Sequence, residues 1–367
     1  NLHPFTRSLI SSIPLMPSPS DVQPSTDLRT RWQQYQEENP NTYLRNAADD
    51  LGVSEVELLA TGCGEHVTRL QGSWRALLGE LEALGPVMAL TRNDAAVHEK
   101  TGLYQNANFP EDSHVGLVLD DDIDLRLFLN HWHFGFAVEQ ETKAGTRHAL
   151  QFFDADGTAV HKVYLTRKSD REAYERLVEK YRHRDQSPEQ SVTPIDPDDA
   201  AGASPEPDVE GFLDAWADLE DTHDFFPLLR DYDIDRTQAL EVAEGRFTTP
   251  VPAQALRFTL QAARDGEVPI MVFVGNRGCL QIHSGPVKTL KETGPWYNVL
   301  DPGFNLHLNE TMIDRAWVVE KPTSDGTVTS LELYDADGWP IARFFGKRKP
   351  GIPEREDWRA ILDDLRA

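Results

Sequence analysis

The chain has 367 residues, 39% of them hydrophobic, and its 36 Lys and Arg against 61 Asp and Glu give a formal charge of −25. That length suits two or three domains, and the acidity excludes general binding to nucleic acid or anionic membranes, which takes a cationic surface. No run of about 18 apolar residues exists, so no membrane insertion is expected; two cysteines, Cys63 and Cys279, exclude a disulfide framework and suit a reducing, cytoplasmic compartment.

In chain order, residues 1–27 read as a disordered leader, rich in Pro and Ser, whose short apolar patch is broken by Pro14 and Pro17 and so lacks the core of a signal peptide. Helices follow. Ser54-x-x-Glu57 has the form of a capping box, and Leu70, Trp74, Leu77, Leu78, Leu81 and Leu84 recur at helical spacing until Gly85-Pro86. Strands then alternate: in 125–130 the leucines share one side, and Arg126 and Phe128 the other. A helix carrying Tyr174, Leu177, Val178 and Tyr181 closes this half, after Ser169-x-x-Glu172. Residues 183–209 are rich in Pro, Ser and Asp and read as a linker. The plan then repeats: helices around Phe212, Trp216 and Asp235-x-x-Gln238, strands separated by turns such as Asp325-Gly326 and Asp337-Gly338, and a last helix with Trp358, Ile361 and Leu362.

The two halves, 28–182 and 210–367, carry matching segments. An offset of 181 lays 151–157 on 332–338 and sets Lys162, Tyr164 and Arg167 opposite Arg343, Phe345 and Arg348; slightly upstream, an offset of 183 pairs Asn93 with Asn276. A period this long marks a duplicated domain, since solenoid units run to roughly 20–50 residues. Helices, a meandering antiparallel sheet and a closing helix, twice over, give an α+β fold.

No Gly-rich phosphate loop, nucleophile elbow, HExxH or CxxC occurs. His131-Trp132-His133 lacks a third metal ligand, and His98, His148, His161 and His283 are uninformative alone. His223 lies at a helix junction, in Asp221-Thr222-His223-Asp224-Phe225-Phe226, and its counterpart in the first half is Pro40. The spacing leaves two accounts open: a solvated helix-capping histidine, or an imidazole beside apolar surface that suits a flat iron-bearing ligand.

Four blocks carry a family resemblance: 92–99 (Arg92-Asn93 to His98-Glu99), 125–130, 272–279 and 321–333. In these the chain resembles the bacterial haem-uptake proteins of the HemS/ChuS/PhuS type, called haemin-degrading factors, over about residues 28–183 and 209–366. The resemblance implies that His223 is the ligand of haem iron, that Arg126 projects over the opposite face of the ring with Phe128 packing on it, and that Arg236, Lys321 and Arg348 hold the propionates. Haem b would lie in a cleft between the halves. The family commonly has glutamine and tyrosine where this chain has Arg343 and Phe345, so altered propionate pairing with binding preserved is expected. Two functions are implied. One is oxygen-dependent haem degradation, in which His223 and Arg126 serve catalysis and an external electron donor and O2 are consumed. The other is a carrier that takes haem after an inner-membrane transporter and passes it to a separate oxygenase; a reductase is a further implied partner. A duplicated interaction scaffold that binds no haem is the third reading of the residues.

Overall fold

The computed structural model describes residues 27–40, 42–143, 145–194, 208–349 and 351–366; the leader expected at 1–27 falls, but for Asp27, outside them. The first half runs α1 (Leu28–Glu38), α2 (Leu44–Leu51), α3 (Glu55–Ala60), β1 (Val67–Arg69), α4 (Trp74–Gly79), β2 (Val87–Arg92), β3 (Ala96–Gly102), β4 (Val115–Leu119), β5 (Asp124–Phe128), β6 (Phe134–Thr142), β7 (Gly145–Phe153), β8 (Ala159–Leu165) and α5 (Arg171–Tyr181). The second runs α6 (Val209–Ala217), α7 (Phe225–Asp231), α8 (Arg236–Val242), β9 (Thr248–Pro250), α9 (Ala255–Asp265), β10 (Ile270–Gly275), β11 (Cys279–Gly285), β12 (Leu290–Thr293), β13 (Trp296–Asp301), β14 (Phe304–Asn309), β15 (Arg315–Lys321), β16 (Val328–Tyr334), β17 (Pro340–Gly346) and α10 (Glu356–Asp364). The α+β duplication is therefore present.

Local chemistry sets the element ends. The capping box at Ser54 forms in full: its side chain accepts from Glu57 N–H while the Glu57 carboxylate takes Ser54 N–H at 2.9 Å. Before α5 the cap is Asp170 rather than Ser169, whose hydroxyl instead donates to Pro86 O at 2.5 Å. The leucine run 70–84 is not one helix. Leu70 N–H bonds Gly135 O at 2.8 Å and so belongs to the sheet edge; α4 starts after Ser73 and passes at Glu80 into a 3-10 turn, Leu81–Leu84, ended by Gly85 at φ +67°.

Two antiparallel sheets result, and each takes strands from both halves. One has nine strands in the order β1-β6-β7-β8-β2-β3-β14-β13-β12; the other has eight, β4-β5-β11-β10-β17-β16-β15-β9. The β4–β5 hairpin thus extends the second half's sheet, while β13–β14 extends the first half's. The exchange is reciprocal in register: Arg126 sits opposite Leu280, and its counterpart His307 sits opposite Val97. The largest core packs β10, β16, β17 and β14 against α9 and α10 through residues such as Leu260, Val272, Phe344 and Trp358, and the second gathers Leu125, Leu127 and Cys279 with Leu77, Phe152 and Tyr174. Each core takes a few small side chains from the other half, Ala95 and Ala96 in the first and Cys279 in the second, beside the ladders that join the copies.

The first part of the expected linker is ordered onto the first half. Gln186 side-chain oxygen accepts Arg69 N–H at 2.9 Å, Arg69 donates to Ser187 O and Glu189 O at 2.9 and 2.8 Å, and Thr193 N–H reaches Ala155 O at 2.8 Å. These short polar side chains bond backbone and sheet edge in place of a packed core. Residues 195–207 lie outside the described segments.

Candidate functional site

Residues paired across an antiparallel ladder share a sheet face. In the eight-stranded sheet one such row reads Asp124, Ile282, Phe273, Arg343, Glu332, Trp317 from β5 to β15. A neighbouring row reads Ser284, Met271, Phe345, Ser330, Val319. Arg126, two residues along from Asp124, belongs to the same face beside Leu280. The reverse face turns Leu125, Val272, Leu331 and Phe344 into the cores.

This face is covered at one end only. Helices α6, α7 and α8 pack on Trp317, Val319 and Tyr334 through Phe212, Trp216, Phe225 and Leu240, forming a cap over β15 and β16. Beyond the cap, Met271, Phe273, Arg343 and Phe345 are only half-buried. Phe273 and Phe345 meet edge to face, with centroids 5.1 Å apart at 67°.

His223 hangs from the cap. It lies in a 3-10 turn, Thr222–Asp224, held by reciprocal caps: Asp221 carboxylate accepts His223 N–H at 2.9 Å, and Asp224 carboxylate accepts Asp221 N–H at 3.2 Å. The imidazole side chain is 84% exposed. Its Nδ1 lies 2.6 Å from Asp221 Oδ1, a partner that in a neutral ring selects the Nδ1–H tautomer and puts the lone pair on Nε2. The hydrogen bond from His223 N–H outweighs the opposing effect of burial and holds the Asp221 carboxyl below its usual value. Two residues on, Phe225 is buried against Trp216, 4.5 Å between centroids, and anchors the turn.

Phe225 also carries two cations over its ring, Lys321 Nζ at 4.6 Å and Arg236 Cζ at 5.2 Å from the centroid. Both converge on Glu332, which is fully buried. Arg236 donates to its two oxygens at 2.9 and 3.1 Å, Lys321 Nζ at 3.0 Å, Ser330 Oγ at 3.1 Å and Tyr334 OH at 2.6 Å. Burial works to raise the Glu332 carboxyl, and the charges of Arg236, Lys321 and Arg343 outweigh it and hold it well below the carboxylate range. Burial pulls the Lys321 amine down to about 8 while Glu332 opposes that fall. Among the described residues Arg343 has no hydrogen-bond or ion-pair partner, and its guanidinium stands 5.8 Å from the Phe273 centroid.

The remaining expected residues lie apart from that cluster. Arg126 on β5 pairs with Asp124, and Phe128 closes the same strand, its N–H bonded to Gly278 O at 2.9 Å. Arg348, past the end of β17, donates to Asp325 at 3.5 Å. Elsewhere His131 Nδ1 bonds Asp154 at 3.2 Å, His133 Nδ1 lies 3.3 Å from the same carboxylate, and His161 lies buried between Thr91 and Tyr104. Sequence reasoning missed Glu332, Asp124, Asp221, Met271 and Phe273. The alternation that sets Arg343 and Phe345 on one side of β17 also sets Met271 and Phe273 on one side of β10, and could have found them.

An exposed imidazole, an apolar half-open platform and an excess of cations have the chemistry that suits a flat, anionic, metal-bearing ligand. The fold and this arrangement define a duplicated protein of the haem-utilisation class. The haemin-degrading HemS/ChuX domain model matches residues 52–181 and 233–365, and the chain belongs to that family. It is 40% identical over 336 residues to the hemin transport protein HemS of Yersinia enterocolitica, covering 91% of this chain and 96% of HemS. It is 39% identical over 342 residues to the hemin transport protein HmuS of Yersinia pestis, covering 93% and 98%. Among solved structures it is similar to holo-PhuS, a heme-binding protein from Pseudomonas aeruginosa, with TM-score 0.89, 44% identity and coverage of 93% and 98%. It is also similar to ChuS, an E. coli heme oxygenase, with TM-score 0.83, 35% identity and coverage of 92% and 99%.

Proposed function

We propose that the protein binds haem on the capped sheet face and opens its ring in an oxygen-dependent reaction that releases iron, acting in the cytoplasm on haem delivered by an inner-membrane transporter. His223 Nε2 holds the iron, with Asp221 fixing the ring's orientation. Arg236, Lys321, Arg343 and Arg348 bind the two propionates, and Phe128, Phe273 and Phe345 pack on the macrocycle. Haem supplies the iron and is itself the substrate; electrons come from an external donor. Arg126 donates hydrogen bonds into the space over the ring face away from His223, where a fixed cation organises water and dioxygen.

The observation that carries this reading is the place of Arg126: it is brought by the other half's hairpin onto the very face that bears Phe273 and Arg343, and Asp124 braces it there. A carrier role, handing intact haem to a separate oxygenase, is favoured by one feature, the 84% exposure of the His223 side chain, which suits exchange with a partner. Single-turnover absorption spectroscopy of the haem complex, with a reductase as donor and catalase present to remove free peroxide, tests the proposal. Conversion to an open tetrapyrrole supports ring opening; intact haem that transfers rapidly to an oxygenase overturns it in favour of the carrier.

A further inference from the structure

We propose that Glu332 is a positioning residue: its buried carboxylate holds Arg236 and Lys321 in place, so that the face selects planar ligands bearing two carboxylates. This deepens the haem-binding reading above and rests on it.

The geometry is that of a charge cluster built for a ligand rather than for stability. A buried ion pair is rarely worth more than the apolar packing it replaces, and uncompensated buried charge is costly. Around Glu332 three cations, Arg236, Lys321 and Arg343, face one carboxylate, leaving two positive charges unmatched among the described residues. Glu332 takes bonds from both Arg236 and Lys321 and thereby sets where their remaining N–H groups point. Arg343, with no partner of its own among the described residues, stands on the adjacent strand in direct register with Glu332. A ligand with two carboxylates completes the balance.

The duplicate supplies an internal control. At the offset of 181, Arg236, Lys321, Glu332 and Arg343 correspond to Glu55, Gln140, Gln151 and Lys162. There Lys162 pairs with Glu55, one charge against one, and the buried Gln151 leaves its side-chain oxygen without a partner among the described residues. The same scaffold positions thus carry no net charge in the first half, so the excess belongs to the second half's residues and not to the fold.

Lys321 faces Glu332, Ser330 and Tyr334 on β16, Arg343 on β17, Arg236 on α8 and the Phe225 ring on α7. Glu332 is the only anion among these groups. Without it the buried amine loses its proton at neutral pH, and a dicarboxylate has to bring that proton back on binding. Affinity for the diacid then becomes pH-dependent where it was flat.

The test is Soret titration of wild type and Glu332→Gln with hemin and with hemin dimethyl ester, from about pH 6 to pH 9. In wild type the preference for the diacid holds until about pH 8, where burial places the Lys321 amine, and falls above it. In Glu332→Gln that fall moves to lower pH, so the preference at pH 7.5 drops about tenfold or more. The ester's affinity and Soret position stay unchanged. Glu332→Gln/Lys321→Met, which removes both partners together, loses the pH step altogether. An unchanged pH profile in Glu332→Gln, or an equal loss for diacid and ester, overturns the proposal. If the single variant does not fold, persistence of the step in the double variant does so. His223→Ala, run alongside, reads the haem assignment separately: its failure to alter the Soret band sinks that reading whatever Glu332 does.

Discussion

Asn93 and Asn276 make the same hydrogen bonds into opposite halves of the molecule. Asn93 Nδ2 donates to Gly275 O at 3.1 Å and Ile341 O at 2.9 Å, while its Oδ1 accepts Ala95 and Ala96 N–H at 3.1 and 2.8 Å. Asn276 Nδ2 donates to Arg92 O at 2.9 Å and Val160 O at 2.8 Å, and its Oδ1 accepts Gly278 and Cys279 N–H, both at 3.0 Å. Each residue closes its own β-turn and ties it to two strands, both of them in the other half's sheet. Asn93→Ala or Asn276→Ala leaves several of these backbone groups unpaired, at about 1–3 kcal/mol for each one that water cannot reach. Each variant is expected to lose about 2–4 kcal/mol, by similar amounts, read from urea midpoints. A loss confined to one of the two would show that the twofold relation is geometric only.

Asp221→Asn keeps an oxygen to accept the His223 N–H groups and removes only the negative charge. Partners of this kind orient a metal-bound imidazole and raise its basicity, and their loss commonly costs about 10- to 100-fold in metal affinity. A weakening of hemin binding in that range is expected, with the folded-state circular dichroism unchanged. Affinity equal to wild type would place the iron on another ligand.

Phe345→Tyr restores the phenol common in the family. Phe345 already shares its strand face with Arg343, two residues away, a cation without an ion-pair partner among the described residues. With the guanidinium supplying the interaction, the added hydroxyl is expected to change hemin affinity by less than about fivefold, roughly 1 kcal/mol. A gain well above that in equilibrium titration would mean that Arg343 does not compensate.

Buried histidines set the acid limit of stability. Burial pushes His161 and His283 down to about 3, Lys100 adding to the effect at His283, and it holds His98 well below the ordinary value with His283 and Lys100 adding to it. In each case the folded state takes up its proton at lower pH than the unfolded chain, which titrates near 6.5. Stability is therefore full above about pH 6.5 and falls as the pH drops toward the folded values, by up to about 1.4 kcal/mol per pH unit for each histidine. Urea midpoints measured at pH 7, 6 and 5 should decline steeply, and His161→Gln should flatten the slope. A slope that His161→Gln leaves unchanged would assign acid lability to the carboxylates instead.

Much of this was legible in the chain. The matched segments at offsets of 181 and 183 reveal the duplication, and the alternation in 125–130 puts Arg126 and Phe128 on one face, because strand periodicity is a local property. The exchange of hairpins was not legible. β5 and β14 are near copies, so nothing in their side chains says which copy of β3 or β11 each should join; that choice is made by long-range packing. Glu332 was hidden for a related reason. Between Leu331 and Leu333 it reads as the solvent side of a half-exposed strand, and only the cap of α6, α7 and α8 turns that side inward. His223 stood out by its neighbours, but its orienting partner Asp221 depends on a turn of irregular backbone that no periodicity reports.

The swapped hairpins bear on how such a gene can evolve. A platform whose edge strand is donated by the sister copy needs two copies to exist even when just one crevice is used. Once that dependence was in place, the first copy was free to lack a counterpart of the His223 imidazole and to carry Gln151 in place of a buried acid. Selection could then act on it as a scaffold that lends an arginine, and its retention needs no second cargo.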